Sequence, residues 1–394
     1  MMEYNPFLPE VRENPYPYYA YLRQHAPVYQ VPGVGFWSVS RYEDVFSILK
    51  NPQMFSSTIF MDAFLGDLNP FPPEAPAIVA YDPPDHARLR KLVNRAFTPR
   101  RIASLEAHLR EVVQQLLEPV VSQGDWDVIR ALAVPLPVIA IAELLGVPLE
   151  RRHDFKRWAD DFIRGTNPLA LSSQARDELR QSLGEFYAYF RAAIAACRKK
   201  PGDNLISDLV RAEEENQTLT GEEVLSLVIL LVIGGAETTT NLIGNAVLAL
   251  LEHPEQYAKL QASPTLVPQT VEEVLRYDAP VQWLFRKTTQ EVKVADTTIP
   301  AGAIVTFLLG SANRDERKFA NPDHFDILRN PEAHLGFGFG IHFCIGALLA
   351  RLEAKLALEE LLKRFPRLSY KRDQIVRGES IFLRGLTALP LVVE

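Results

Sequence analysis

The chain has 394 residues, 47% hydrophobic and 23% charged, which is ample for a large buried core and ordinary for a globular protein. A net charge of −7 argues against a general nucleic-acid binder, and two cysteines exclude both a disulfide framework and a cluster held by about four thiolates. The N-terminal MMEYNPFLPEV lacks the regions of a signal peptide, and no uninterrupted apolar run reaches the ~18 residues of a membrane span, so a cytoplasmic protein is expected.

Residues 1–35 are rich in proline and tyrosine, with a helical patch around Tyr18–His25. Gly35–Val39 alternates as a strand does and Tyr42–Leu49 returns to helical spacing, so a small sheet near the N-terminus is predicted. Phe55 to Pro76 is apolar, proline-studded and without period; a loop so long suits a pocket wall or a segment packed on the surface. From His86 to Arg101 there are six arginines and lysines and no acid, and His86 and Arg90 share a helical face. Taken alone, that run is a solvated basic face. Residues 102–212 read as helices broken at Gly124, Pro135, Pro148, Pro168 and Pro201, with Gly165–Ser173 a flexible connection. Trp158, Phe162, Phe186, Tyr187, Tyr189 and Phe190 are expected mostly in the core, and Cys197 is a helix-end residue without a role.

The best-defined helix is predicted over Gly221–Glu252, opened by a Thr220–Glu223 capping box, stopped by Pro254 and about 48 Å long. Between Glu223 and Glu252 its only ionisable group is Glu237. A helix apolar all round is buried, so that carboxylate needs a reason. It lies in GGAETTT, where Gly234 and Gly235 weaken the helix and leave room for a flat ligand or dioxygen. Thr238 and Thr239 can bond back to carbonyls and open the ladder. The alternative is a kinked core helix whose acid is satisfied locally. Further on, Glu273 and Arg276 share a helical face, a common arrangement. Apolar Val281–Phe285 precedes Arg286, strand-like segments follow at Glu291–Val294 and Ile299–Thr306, and Ile381–Leu386 looks like a closing hairpin whose turn could touch a substrate.

Leu335–Ala350, LGFGFGIHFCIGALLA, is the most distinctive stretch. Each interior glycine costs a helix roughly 1 kcal/mol relative to alanine, so this is a tight loop that bends sharply and approaches something closely. Ile345, Leu348, Leu349, Leu352 and Leu356 then recur at helical spacing. Cys344 therefore sits where a loop feeds a helix N-terminus, a setting that favours thiolate. A lone cysteine is ordinarily a small buried hydrophobe; the glycine and aromatic context points elsewhere.

The string F-G-x-G-x-H-x-C-x-G, filled by Phe337, Gly338, Gly340, His342, Cys344 and Gly346, resembles the haem-binding loop of the cytochrome P-450 monooxygenases, soluble bacterial type. Gly234, Gly235, Glu237 and Thr238 resemble the same family's oxygen-activation motif, and Glu273 with Arg276 its structural ion pair. Asn321–Phe325 resembles its P-x-x-F segment, with His324 where arginine is usual, which leaves the third partner of the ion pair open. The resemblance implies a mainly α fold with small β-sheets: one helical domain over 1–394 with a β-rich minor region at about 28–60 and 281–310.

It implies, too, haem b (iron protoporphyrin IX) ligated by Cys344, with propionates held by His86, Arg90, Arg286 and His342, and with Gly235, Phe337, Gly338 and Gly346 around the cofactor. Glu237 and Thr238 would pass protons to dioxygen, and a hydrophobic small molecule would be hydroxylated or epoxidised. Pocket walls would come from 55–80, 165–185, 232–237, 281–285 and 381–384. About fifty residues follow Cys344, too few for a redox domain, so a separate ferredoxin or flavodoxin with its NAD(P)H reductase is expected, docking on Arg88–Arg101. A peroxide-driven peroxygenase, a haem-binding sensor and a cysteine hydrolase are the competing readings.

Overall fold

The computed structural model describes residues 3–167, 171–216 and 219–393, so Pro168 and part of the Gly165–Ser173 connection lie outside the described residues. By contacts the chain divides into two compact units: residues 1–56, 106–133 and 238–394, and residues 57–105 with 134–237. The architecture is the expected one, helices with small sheets.

The first unit holds a five-stranded sheet in the order Val28–Gln30, Trp37–Val39, Ile304–Phe307, Leu284–Thr288, Phe55–Ser56. Only Trp37–Val39 and Ile304–Phe307 run parallel. This is the predicted minor β-region, and its inward side chains (Val39, Val305, Phe307) close a core with Val45 and Ile48 of the helix Tyr42–Lys50. Between the strand-like segments the chain makes a hairpin, Val292–Val294 with Thr297–Ile299, so Pro300–Gly302 is a turn and not strand interior. The tail closes as predicted, Val376–Arg377 pairing with Leu386–Ala388. Asp125–Asp127 is a strand that the helical reading of 102–212 missed; it pairs with Pro390–Val393, which pairs in turn with Leu368–Tyr370. Three residues are too short to show a period, and their partners lie at the far end of the chain.

The second unit is helical. Of Phe55–Pro76, read as an aperiodic loop, Phe55–Ser56 is the strand already placed in the first unit, and the remainder contains a short helix at Phe60–Leu65 and a 3-10 turn at Gly66–Leu68. One helical turn and a half shows no period. Pro135 opens a helix at its first turn, where a missing N–H costs nothing, instead of breaking one. Thr98 and Ser172 cap the helices Pro99–Ser104 and Ser173–Lys199 with their side-chain oxygens.

The helix Gly221–Glu252 has the predicted bounds and passes through both units, the division falling between Glu237 and Thr238. Its capping box is formed: the Thr220 N–H donates to Glu223 Oε2 at 2.8 Å, and the Glu223 N–H to Thr220 Oγ1 at 3.2 Å. The helix continues unbroken over Gly234 and Gly235, contrary to the expected opening of its ladder, since buried neighbours on either side hold it. By length and composition it could cross a membrane; 67% of its most apolar window is buried in protein, as in a core helix.

Candidate active site

The cysteine loop belongs to the first unit. Gly338 and Gly340 hold φ of +69° and +73°, a region side chains resist, and a Cβ on Gly340 would lie 2.6 Å from the Leu49 carbonyl oxygen. A Cβ on Gly336 would lie 2.7 Å from that of Leu275. The close approach inferred from the glycines is therefore an approach to backbone. A 3-10 turn over Gly340–His342 leads to Cys344, whose N–H donates to the Phe337 carbonyl at 3.0 Å. The following helix, Ala347–Arg364, has Gly346 as its N-cap, so Cys344 stands two residues outside the cap. The thiol is exposed, and so are the apolar side chains of Phe339 and Phe343, 39% each, and of Leu348.

Of the other predicted residues, Arg286, His342, Thr238, Glu273 and Arg276 lie in this unit, and His86, Arg90, Gly235 and Glu237 in the other. Arg286 is buried on the strand Leu284–Thr288, donating from Nη1 to the Phe285 carbonyl at 2.8 Å with its guanidinium 5.2 Å from the Phe307 ring centre. The predicted walls 281–285 and 381–384 meet: Val281 bridges Leu383, and Trp283 Nε1 donates to the Ile381 carbonyl at 2.8 Å.

In the second unit His86 and Arg90 occupy one face of the helix Asp85–Ala96, His86 buried and Arg90 donating from Nε to Asn94 Oδ1 at 3.0 Å. The basic run is the expected exposed face only in part. Arg88 grips Glu223 of the capping box with both terminal nitrogens, and Arg101 pairs with Asp208. Acids distant in sequence thus pair with two of its six cations, which a count over sixteen consecutive residues does not register. Lys91 and Arg100 remain exposed. The walls 55–80 and 165–185 touch where a Cβ on Gly165 would meet Leu65 at 3.2 Å.

On the central helix Gly234 is exposed and Leu230, Glu237 and Thr238 are partly so, three and four residues apart on one face, with Leu231 and Gly235 partly exposed beside them and the rest of the rod's middle buried. A Cβ on Gly234 would meet no atom within 4 Å. Glu237, its side chain 20% exposed, lies 3.7 Å from Lys156 Nζ, which also pairs with Asp160 one turn along the helix Arg152–Gly165. Lys156 is a neighbour of this candidate residue that the sequence reading missed, having no motif of its own.

The ion pair is deeply buried. Glu273 receives Arg276 Nε at 2.7 Å and Nη2 at 2.8 Å, and the third partner is Arg329, whose Nε donates at 3.2 Å. His324 supplies its backbone carbonyl to both arginines while its side chain is exposed, so the third partner left open in the sequence is not the His324 ring. That partner is an arginine five residues beyond His324 in the chain.

Among the described residues no group of three or more His, Cys, Asp or Glu could hold a metal ion. A single accessible thiol on a glycine-bent loop suits iron whose other donors come from a macrocycle, and residues of that kind are the ones present.

A profile of the family Cytochrome P450 matches residues 162–264 and 262–382. Cytochrome P450 107B1 of Saccharopolyspora erythraea is 41% identical, covering 92% of this chain and 90% of that protein. The vitamin D(3) 25-hydroxylase of Pseudonocardia autotrophica is 38% identical over 97% of this chain and 94% of its own. The solved cytochrome P450 CYP109Q5 from Chondromyces apiculatus superposes with a TM-score of 0.88 at 43% identity, over 99% of this chain and 98% of that one. With profile, relatives and fold in agreement along nearly the whole length, the chain belongs to the cytochrome P450 family and is a haem b-dependent monooxygenase.

Proposed function

We propose that this cytochrome P450 hydroxylates or epoxidises a hydrophobic small molecule of lipid, terpenoid, steroid or macrolide type, acting as a single domain in the cytoplasm. Electrons would come from a separate ferredoxin or flavodoxin. The observation that supports it best is the open stripe of the central helix, where Glu237 and Thr238 adjoin the space beside Gly234.

Bound haem supplies the iron at which dioxygen is reduced and one of its atoms becomes available for insertion. Cys344 is the residue that would hold the iron, and the Phe337 carbonyl fixes the backbone from which its sulfur projects. His86, Arg90, Arg286 and His342 would hold the propionates, guanidinium forks suiting carboxylates. Gly235, Phe337, Gly338 and Gly346 would lie against the ring. Thr238 donates a proton from its hydroxyl and Glu237 replenishes it. Lys156 holds the Glu237 carboxylate between deliveries. The aromatic and aliphatic side chains at 281–285 and 381–384 exclude water on the substrate side.

Cys344→Ala should abolish the long-wavelength Soret band of the reduced carbon monoxide complex; an intact band would refute the ligand assignment. A library scan for low-to-high-spin shifts, beginning with vitamin D3 because one relative bears that name, identifies the substrate class. Turnover with NAD(P)H, reductase and ferredoxin or flavodoxin is expected; turnover with peroxide alone would instead favour a peroxygenase.

A further inference from the structure

Glu272 precedes the ion-pair residue Glu273 on the helix Val267–Tyr277, and a step of about 100° sends it to another face. Its carboxylate accepts Arg351 Nε at 2.6 Å, Arg351 Nη2 at 2.9 Å and His334 Nε2 at 2.9 Å. His334 Nδ1 in turn accepts the Gly336 N–H at 3.0 Å. A backbone N–H can only donate, so Nδ1 carries the lone pair and Nε2 the proton given to Glu272. The Arg351 guanidinium lies 4.5 Å from the centre of the Phe337 ring, and the Phe337 carbonyl receives the Cys344 N–H. Leu335 N–H is held as well, by Asn313 Oδ1 at 2.6 Å. Two branches thus leave one carboxylate and end on the backbone that carries the cysteine: Glu272–His334–Gly336, and Glu272–Arg351–Phe337–Cys344.

We propose that Glu272, His334 and Arg351 are positioning residues that fix the cysteine loop and set the electrostatic field at the thiolate. The inference rests on the reading of Cys344 as the iron ligand. Its geometric part is the grip on Gly336 and Phe337. Its electrostatic part is a balanced pair, the Arg351 cation on one face of Phe337 neutralised by Glu272. Removing the carboxylate leaves a net positive charge beside the ligand, which favours reduced iron; removing the guanidinium leaves a net negative charge, which favours oxidised iron.

The test uses the purified holoenzyme. Glu272→Gln should raise the reduction potential, Arg351→Gln should lower it, and the double variant should return towards the wild-type value. A merely structural role would move both single variants in one direction or neither. His334 separates the geometric part. Asn places an oxygen where Nδ1 stands and keeps the Gly336 acceptor, whereas Gln reaches Glu272 and loses that acceptor. The Gln variant should lose haem to a haem-free globin on the order of tenfold faster than wild type, with the Asn variant close to wild type. Potentials that do not move oppositely, or Asn and Gln variants that behave alike, overturn the proposal. If the wild-type protein itself lacks the thiolate-type Soret band, the ligand reading fails instead, and that outcome is seen before any variant is made.

Discussion

Glu273 has no exposed side-chain surface, and its charge is tolerable only because two guanidinium groups and the Asp326 N–H converge on it. Arg329 does more than neutralise: it donates to the carbonyls of Ala320, Asn321 and His324, pinning a turn in which Asn321 holds φ of +46°. Arg329→Ala should therefore cost about 3 kcal/mol of unfolding free energy, the penalty of stripping one partner from a buried ion network. His324→Ala, which deletes an exposed ring and keeps the carbonyl, should stay within about 0.5 kcal/mol. Urea midpoints of the two variants check this, and equal losses would return the role to the histidine side chain. The glutamate and Arg276 were legible because three-residue spacing on a helix is a local rule. Arg329 was not, because an irregular turn sets its reach.

At the scale of the element, the central helix was the most legible part of the chain. Its cap, its stop and the single acid of its interior are all written in adjacent residues, and its bounds follow. Other short elements escaped: the strand Asp125–Asp127 exists only through pairing with residues some 265 positions away, and Lys156 reaches Glu237 through helix packing. What such contacts do chemically is testable within the helix itself. Thr238→Ala should keep the haem and the substrate-induced spin shift, since neither requires the hydroxyl. Product formed per NAD(P)H should fall at least about tenfold, with the balance appearing as peroxide. Unchanged coupling would remove Thr238 from proton delivery and leave Glu237 to act through water.

At the scale of the whole molecule, the N-terminal segment is tied to the C-terminal hairpin through a buried polar knot. Arg384 donates to Asp278 at 2.7 Å and to the carbonyls of Arg12 and Glu13, the Tyr16 hydroxyl donates to Asp278, and Arg314 lies between the rings of Tyr16 and Tyr277 at 3.6 and 3.8 Å. Burial works to raise the Asp278 carboxyl, but the Arg384 charge and the Tyr16 hydroxyl together outweigh it and leave it below the ordinary aspartate value. At Glu272 burial acts the same way, and Arg351 with His334 overcomes it, bringing the carboxyl from 4.5 to about 2. Both groups bind a proton more readily unfolded than folded. Each therefore stabilises the fold above its unfolded pKa, and that stability drains away as pH falls towards the folded one. For Glu272 the window is pH 4.5 down to about 2. The unfolding free energy of Glu272→Gln should accordingly fall less steeply than that of the wild type across this interval. Asp278→Asn, which strands a buried guanidinium, should already be destabilised by about 3–5 kcal/mol at neutral pH. Parallel acid limbs for Glu272→Gln and wild type would mean that Arg351 and His334 hold the carboxylate no better than water does, and the grip on the cysteine loop would lose its anchor.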